Sequence, residues 1–248
     1  MMSDLRSQFY WQSCIGCVNY RHVPHFLEHY IKRHRLDPKR ARFVVHSNDE
    51  TVKDRPKVLQ ALARWGVPHP VLWHGEFDTS EKKKRLLAAQ FNIPSESWIL
   101  TSDADELLDP KFHLGKAVRT AEFTGAAYIR GCMIDRVAPD GALPKIQGKP
   151  SLWKQFPLEK RLTGQVAEAA SVKMILRRAW VIPLCGGWHG PDDRTLPVYH
   201  EFPSLYHFKW DHLVISRLRK REKHYKQIGL GWWAESKRLA DHLEQKSE

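Results

Sequence analysis

The stretch WILTSDADELLD, residues 98–109, joins a short apolar run to a group of acidic residues. The run WILTS predicts a buried strand, and four carboxylates follow it directly, those of Asp103, Asp105, Glu106 and Asp109. Carboxylates this close repel one another unless a cation or strong hydrogen-bond donors offset their charge. The stretch therefore predicts positive charge at the carboxyl end of a strand.

The residues before this stretch alternate between strand and helix patterns. The strand candidates are SCIGCVN, ARFVVHS and HPVLWHG, and the helix candidates span residues 23–36, 55–66 and 79–91, the last opened by a Thr/Ser cap. This alternation predicts an α/β fold with a mostly parallel, Rossmann-like central sheet flanked by helices. Ligands bind such sheets beyond the carboxyl ends of the strands, a rim that would carry Asn19, Asn48, Asp49, Asp103 and Asp105.

The regular alternation breaks after residue 120. Further strand candidates cover residues 125–137, 171–182 and 204–210, and Gly- and Pro-rich loops separate them. The patterns at 211–225 and 232–245 have helical periodicity and predict a helical C-terminal tail. We expect one domain over residues 1–248.

The basic composition restricts the class of partner. A formal net charge of +12 favours nucleic acid, a nucleotide-linked substrate or an anionic membrane surface. Much of the excess lies in residues 209–226, which form either a solvated helix face or a contact with the inner face of a membrane. A nucleic-acid-binding protein is the rival interpretation, because aromatic rings that stack on bases lie among the basic residues: Trp210, Tyr225, Trp232 and Trp233.

Two further patterns concern location and cysteine chemistry. No run of about 18 apolar residues occurs, and the N-terminus lacks the apolar core of a signal peptide, so we expect a cytoplasmic protein without a transmembrane segment. Cys14 and Cys17 form a CxxC without a second such pair. This favours two small apolar residues on a buried strand over half of a zinc site or a redox pair.

Asp103 and Asp105 form a DxD pair at the predicted strand end. Both carboxylates can turn toward one Mg²⁺ or Mn²⁺, ions that combine such ligands with substrate phosphates. A calcium loop would need Gly and Glu where Leu108 and Leu114 stand. A haloacid-dehalogenase phosphatase would have DxDx[TV] after its first strand, but here the fifth position is Leu107 and three predicted strands come before it. A third alternative is an acidic loop that caps a helix near Pro110.

Several stretches together resemble the GT-A glycosyltransferases, most nearly their bacterial family-2-like group. CVNYRHVPHFLEHYIKRHRL, VVHSNDE and WILTSDADELLD resemble the nucleotide-sugar half, and MIDRVAPDGAL, GGWHG and SLYHFKWD resemble segments of the acceptor side. DADE followed by YHFKW is the most specific part. The resemblance implies a nucleotide-sugar-binding half at 1–109, an acceptor-side half at 110–212 and a helical tail at 213–248.

The resemblance also implies an activity: metal-dependent transfer of a sugar, with inversion, from a nucleoside diphosphate donor to a hydroxyl of a glycan or lipid-linked acceptor. The product would be a cell-surface polysaccharide or another glycan. Mn²⁺ or Mg²⁺ would be held by Asp103, Asp105 and His207. The donor would contact Asp103 and a set of polar residues, namely Asn19, Asn48, Asp49, Lys84 or Arg85, and Lys209.

The sequence does not decide which residue is the catalytic base or which nucleotide the donor carries. Carboxylates able to accept the acceptor proton are Asp135, Asp192, Asp193 and Glu106, and no motif chooses among them. The segment CVNYRH lacks the usual acidic residue after Asn, and VVHSNDETVKD lacks the common Asn-x-Ser-x-Asp arrangement, so UDP is only the default. An enzyme of phosphoryl transfer or hydrolysis that uses the same carboxylates is a further rival.

Overall fold

The first four strands of the computed structural model lie parallel and side by side in one sheet. They are β1 (Phe9–Gly16), β2 (Ala41–Ser47), β3 (Val71–His74) and β4 (Trp98–Thr101), in the order β3-β2-β1-β4. Most residues of β1, β2 and β4 are buried on both faces, as in parallel sheets covered by helices. The structure describes residues 9–162, 171–199 and 201–245.

Helices connect these strands, as the sequence predicts. Helix α1 (Val23–Glu28), which continues as a π-helix (His29–Arg33), precedes β2, and α2 (Arg55–Arg64) precedes β3. Helix α3 (Thr79–Ala89) precedes β4. Its N-cap is Asp78 rather than Thr or Ser, because the Asp78 carboxylate accepts a hydrogen bond from the backbone N–H of Glu81 at 2.8 Å.

The acidic residues after β4 lead into another strand. Strand β5 spans Glu106–Leu108, and the next helix, α4 (Leu114–Phe123), begins well after Pro110. The interpretation of the acidic residues as a cap for a helix near Pro110 is therefore wrong. The rest of the sheet consists of β6 (Tyr128–Val137), β7 (Leu158–Lys160), β8 (Val172–Arg178), β9 (Val198–Tyr199) and β10 (Ser204–His207).

The chain folds as two compact units. The first contains Met1–Cys132 and Val172–Leu205, and the second contains Met133–Ser171 and Tyr206–Glu248. These boundaries differ from the predicted ones near residues 109 and 212, because β8 returns to the first unit and pairs antiparallel with β4. Local periodicity does not encode such a long-range pairing. The α/β class, with its mainly parallel sheet flanked by helices, is confirmed.

Aromatic packing in the first unit fixes α1 against the sheet. The ring of Trp11 on β1 lies 4.7 Å from that of Phe43 on β2, 5.7 Å from that of Phe26 and 6.0 Å from that of Tyr30. The Tyr30 hydroxyl then accepts a hydrogen bond from the backbone N–H of Leu108 at 3.1 Å. This contact ties the first helical segment to β5, immediately after the acidic residues.

The second unit contains the predicted helical tail. Helices α6 (Val214–Gln227) and α7 (Trp232–Gln245) form a hairpin, and the short helix α5 (Leu152–Gln155) precedes β7. Buried apolar residues at the base of the hairpin form its core: Trp210, Val214, Leu218, Leu239 and Ala240. None of the helices in the described ranges is both long enough and apolar enough to cross a membrane.

Candidate functional site

The acidic residues lie where the order of the strands reverses. From β1 the chain moves outward through β2 to β3, and β4 then takes its place on the other side of β1. Thr101, the last residue of β4, is level with Gln12 of β1, and the Ser102 N–H donates to the Gln12 carbonyl at 3.3 Å. Because β1 and β4 are parallel neighbours, their carboxyl ends point the same way and flank the position at which open α/β sheets bind ligands, although β1 continues four residues farther, to Gly16.

Two buried lysines neutralise the carboxylates after β4. Lys82 of α3 donates to Asp103 Oδ1 at 2.7 Å, and Lys173 of β8 donates to Asp103 Oδ2 at 3.1 Å. Lys173 also donates to both oxygens of Glu106 at 2.6 and 2.5 Å. The Asp103 N–H completes the arrangement by donating to Glu106 Oε2 at 2.8 Å. We call these four residues the acidic-loop cluster.

Burial and opposite charge act against each other in this cluster. Burial alone would lower the pKa of Lys173, but the carboxylates of Asp103 and Glu106 outweigh it and raise that pKa above its usual 10.5. Burial alone would raise the pKa of Asp103, but Lys173 and Lys82 hold it below its usual 3.8. The positive charge that the sequence predicts is therefore present, and lysines supply it.

The metal set of Asp103, Asp105 and His207 stays a prediction, and two of its members already contact other side chains. Both carboxylate oxygens of Asp103 already accept hydrogen bonds from lysines, so an ion on Asp103 would share that carboxylate with two ammonium groups. His207 contacts a different carboxylate, that of Asp135. Within residues 9–162, 171–199 and 201–245, no three His, Cys, Asp or Glu side chains group around one metal position. A divalent ion stays a prediction, with half-buried Asp105 as its protein ligand.

The three predicted donor residues at the rim have different surroundings. The Oδ1 of Asn19, just beyond β1, is buried and accepts no hydrogen bond from the described part of the chain. Asn48 closes the turn after β2, where its Oδ1 accepts from the Thr51 hydroxyl at 2.8 Å. Asp49 is almost fully exposed and lies 3.1 Å from His74 Nε2 at the end of β3. Asn19 is thus the one of the three with a buried, unpaired polar atom.

The basic residues of α3 differ in burial: Lys82 is buried, and Lys84 is exposed. Arg85 forms an ion pair with Glu81 at 2.7 Å, and its guanidinium lies 5.5 Å from the centroid of the Trp73 ring. Lys84, the alternative to Arg85, is exposed and lines a groove of about 480 Å³ between α3 and residues 184–186. Lys82 alone of the KKKR run reaches the acidic-loop cluster. Their roles toward a donor stay predictions.

Asp135 of the second unit lies in a closed polar contact. Its carboxylate is fully buried, accepts a hydrogen bond from Trp210 Nε1 at 2.8 Å and lies 3.3 Å from His207 Nδ1. The neighbouring Arg136 pairs with Glu159 instead. The ammonium group of Lys209 lies 4.8 Å from the centroid of the Trp210 ring. As a catalytic base, Asp135 would need access that this burial does not provide.

Asp192 and Asp193 of the first unit are both exposed. Asp193 accepts hydrogen bonds from the N–H of Thr195 at 2.9 Å and from its hydroxyl at 2.6 Å, and these bonds lower the Asp193 pKa. The Asp192 carboxylate accepts no such bond from the residues that the structure describes. Asp192 is therefore the candidate base with an accessible carboxylate and no structural task.

Sequence reasoning did not connect the two lysines that define the site with the acidic residues. Lys82 is one of three successive lysines, and its burial follows only from the packing of α3 on the sheet. A lysine in a strand is more often exposed than buried, but Lys173 is buried. The usable pattern was a single lysine flanked by apolar residues in SVKMIL, which becomes informative once β8 is known to be an inner strand.

The two cysteines of the CxxC and Trp188, in the segment GGWHG, are parts of the core. Cys14 and Cys17 are buried free thiols, and burial raises their pKa values to about 12 and about 11. Neither thiol is therefore disposed to be a reactive thiolate. Trp188 is fully buried, and the neighbouring His189 ring lies 3.0 Å from the Val172 carbonyl through its Nδ1.

Comparisons with known proteins give only distant structural likenesses. No protein-family model and no curated protein sequence matches the chain. S. aureus TarS matches with a TM-score of 0.38 and 12% identity over 94% of this chain and 43% of that one. S. aureus TarS 1–349 in complex with UDP-GlcNAc matches with a TM-score of 0.41 and 9% identity over 80% and 58%.

A third likeness is to mannose-1-phosphate geranyltransferase from Thermus thermophilus. Its TM-score is 0.30 and its identity 14%, over 54% of this chain and 43% of that one. This chain thus spans roughly half the length of the TarS structures that it matches. None of these likenesses assigns it to a family.

Proposed function

We propose that the protein is a glycosyltransferase whose first unit binds a nucleotide-sugar donor beyond the carboxyl ends of β1 and β4. The observation that carries the proposal is the place of the acidic loop. It begins at the point where the strand order reverses, which is the usual ligand position in such sheets. The resemblance of DADE and YHFKW to GT-A glycosyltransferases supports the same choice.

The state of the polar groups at this position also supports ligand binding. Asn19 Oδ1 is buried without a partner in the described chain, and a buried unpaired acceptor is costly unless a ligand or water satisfies it. Asp103 is held in one orientation by two lysines, so its part-exposed carboxylate is ready to accept hydrogen bonds from a sugar hydroxyl.

The proposal includes a divalent metal ion, with fewer protein ligands than the sequence predicts. A divalent ion would be held by Asp105 together with the diphosphate of the donor, as Mg²⁺ and Mn²⁺ often combine one or two carboxylates with substrate phosphates. Such an ion supplies positive charge to the departing nucleoside diphosphate. Asp103 would orient the donor and stay paired with Lys82 and Lys173.

The transfer itself is proposed as a single displacement with inversion. The bond between the sugar C1 and the diphosphate oxygen breaks, a bond from C1 to the acceptor oxygen forms, and the hydroxyl proton passes to a carboxylate. Asp192 is our preferred base because its carboxylate is exposed. The acceptor would be a glycan or a lipid-linked sugar, in the synthesis of a surface polysaccharide or another glycan.

The first experiment is calorimetric titration of UDP, GDP, dTDP and their sugars, with and without Mn²⁺. We expect one nucleoside diphosphate to bind, with Mn²⁺ strengthening the binding. Asp105→Ala should remove the effect of Mn²⁺. Glu96→Ala, which removes an exposed carboxylate two residues before the amino end of β4, should leave binding unchanged.

The other outcomes separate the rivals. Binding of none of these ligands by a folded protein would overturn the proposal. Release of inorganic phosphate without sugar transfer would indicate phosphoryl transfer or hydrolysis. Tight binding of an oligonucleotide with a steep salt dependence would indicate a nucleic-acid-binding protein. An Asp192→Asn variant that keeps full transfer activity would exclude Asp192 as the base.

A further inference from the structure

The two ends of the α6–α7 hairpin differ in character. At its base, Val214 and Leu218 of α6 pack against Leu239 and Ala240 of α7 in a buried core. At the turn, three large apolar side chains face solvent, with exposed fractions of 50% for Ile228, 43% for Leu230 and 51% for Trp232. Apolar side chains grouped in this way on a protein surface mark an interaction site more often than isolated ones do.

The turn holds these side chains outward in a fixed conformation. Helix α6 ends in a Schellman motif, in which the Leu230 N–H donates to the Tyr225 carbonyl at 2.9 Å and Gly229 has a φ of +70°. The Gly229 N–H donates to the Lys226 carbonyl at 3.4 Å in the same motif. The exposure of Ile228 and Leu230 therefore follows from the backbone conformation of this hydrogen-bonded turn.

The charges of the hairpin are sorted along its length. Its acidic side chains are occupied by arginines: Glu222, Asp241 and Glu244 contact Arg219, and Glu235 contacts Arg221. Toward the turn, Lys223 and Lys226 are exposed, and the Lys226 ammonium lies 5.3 Å from the centroid of the Trp233 ring. Positive charge that these carboxylates do not neutralise is therefore present at the same end of the hairpin as the exposed apolar side chains.

We propose that this hairpin tip, defined as Lys223, Lys226, Ile228, Leu230 and Trp232, docks onto an anionic lipid surface. Aliphatic side chains and Trp enter the boundary between headgroups and acyl chains, while adjacent lysines are attracted by anionic headgroups. Ile228 and Leu230 offer no stacking surface for nucleic-acid bases, and Arg219 and Arg221 already contact carboxylates. A lipid surface therefore matches the tip better than a nucleic acid does.

The test is co-sedimentation of the full chain with vesicles of phosphatidylcholine, with and without phosphatidylglycerol. We expect binding only to the vesicles that contain phosphatidylglycerol, and weaker binding in high salt. Leu230→Ser with Trp232→Ser should reduce the partition coefficient at least about tenfold. Lys223→Gln with Lys226→Gln should reduce it by about tenfold as well.

The control is Phe123→Ser, which removes another exposed aromatic side chain, 92% accessible and outside the hairpin. It should leave vesicle binding unchanged, and circular dichroism should show that all variants are folded. Binding that the tip variants do not alter, or no binding to any vesicle, would overturn the proposal. Binding to a single-stranded oligonucleotide that depends on Lys223 and Lys226 but not on Leu230 would assign the tip to nucleic acid. The assay contains no donor, so its outcome does not depend on the proposed glycosyl transfer.

Discussion

Two ionic clusters of four side chains each differ in their access to water. In the acidic-loop cluster of the first unit, the side chains of Lys173, Glu106 and Lys82 are 3%, 4% and 7% exposed, and that of Asp103 is 27% exposed. In the second unit, Arg219 contacts three carboxylates of the hairpin, and these side chains are 22–45% exposed. We call this second group the hairpin cluster.

The comparison teaches that burial decides what an ion pair contributes. Exposed pairs gain little, because water and salt screen the charges and the long side chains lose conformational freedom. Buried charges cannot be left alone, because each must then bear its full desolvation cost. The acidic-loop cluster should therefore be intolerant of any change that leaves one charge unpaired, and the hairpin cluster should be tolerant.

The largest expected effect comes from Lys173→Met. It leaves the buried carboxylate of Glu106 without its ammonium partner and removes one of the two partners of Asp103. We expect a loss of about 3–5 kcal/mol in the free energy of unfolding. Lys82→Met should cost less, because Asp103 keeps Lys173 and part of its access to solvent. Urea denaturation followed by circular dichroism measures both.

A double variant tests the cause of that loss. Lys173→Met combined with Glu106→Gln removes the unpaired charge while keeping the shape of the site. It should recover much of the stability lost in Lys173→Met. If the double variant is no more stable than Lys173→Met, packing of the lysine stem rather than charge explains the loss.

The second-largest effect is expected from acidic pH, which should destabilise the first unit more than the hairpin. In the first unit, burial lowers the pKa of His29 to about 3 and that of His34 to about 4, from a usual 6.5. Below pH 6.5 the unfolded chain binds protons that the folded chain excludes, so stability falls as the pH drops toward those values. Each histidine contributes about 1.4 kcal/mol per pH unit in this window.

Hydrogen exchange can detect this difference between the units. His29 Nε2 lies 2.8 Å from the Leu108 carbonyl and 3.2 Å from His34, so opening of β5 should expose His29 to water and let it bind a proton, which favours the opened state at low pH. After correction for intrinsic rates, the protection of β5 amides should decrease from pH 7 to pH 5 more than that of α7 amides. His29→Gln should flatten the decrease and His242→Gln should not. Equal loss in both regions would contradict the assignment to the buried histidines.

The contrast also explains what the sequence could predict. The alternation of strand-like and helix-like hydrophobic periodicity identified β1 to β4 and their helices, since each of these elements is amphipathic or apolar over its own length. It also predicted correctly that the acidic residues follow the carboxyl end of β4. It could not predict that Lys173 is a partner of Asp103, because Lys173 lies 70 residues away and reaches Asp103 only through the antiparallel pairing of β8 with β4.

The same limit applies to the basic helix. Its run of positive charge suggested an anionic partner along the whole length of α6, but Arg219 and Arg221 contact carboxylates of α7. Which charges stay available depends on the packing of two helices, and a composition count cannot show this. The exposed apolar turn between them was likewise visible only after the hairpin was known.

The smallest effect is expected from Arg219→Gln, which removes the centre of the hairpin cluster. Although its contacts with carboxylates raise the pKa of Arg219, about a third of the side chain is exposed, so solvent and salt screen the charges. We expect the melting temperature to fall by no more than about 3 °C, and by less in high salt. Differential scanning calorimetry at two salt concentrations measures this, with Lys237→Gln, a single exposed partner of Asp241, as the control. A loss as large as that of Lys173→Met would mean that the hairpin cluster is shielded from water, and the contrast between the two regions would then have to come from geometry rather than from burial.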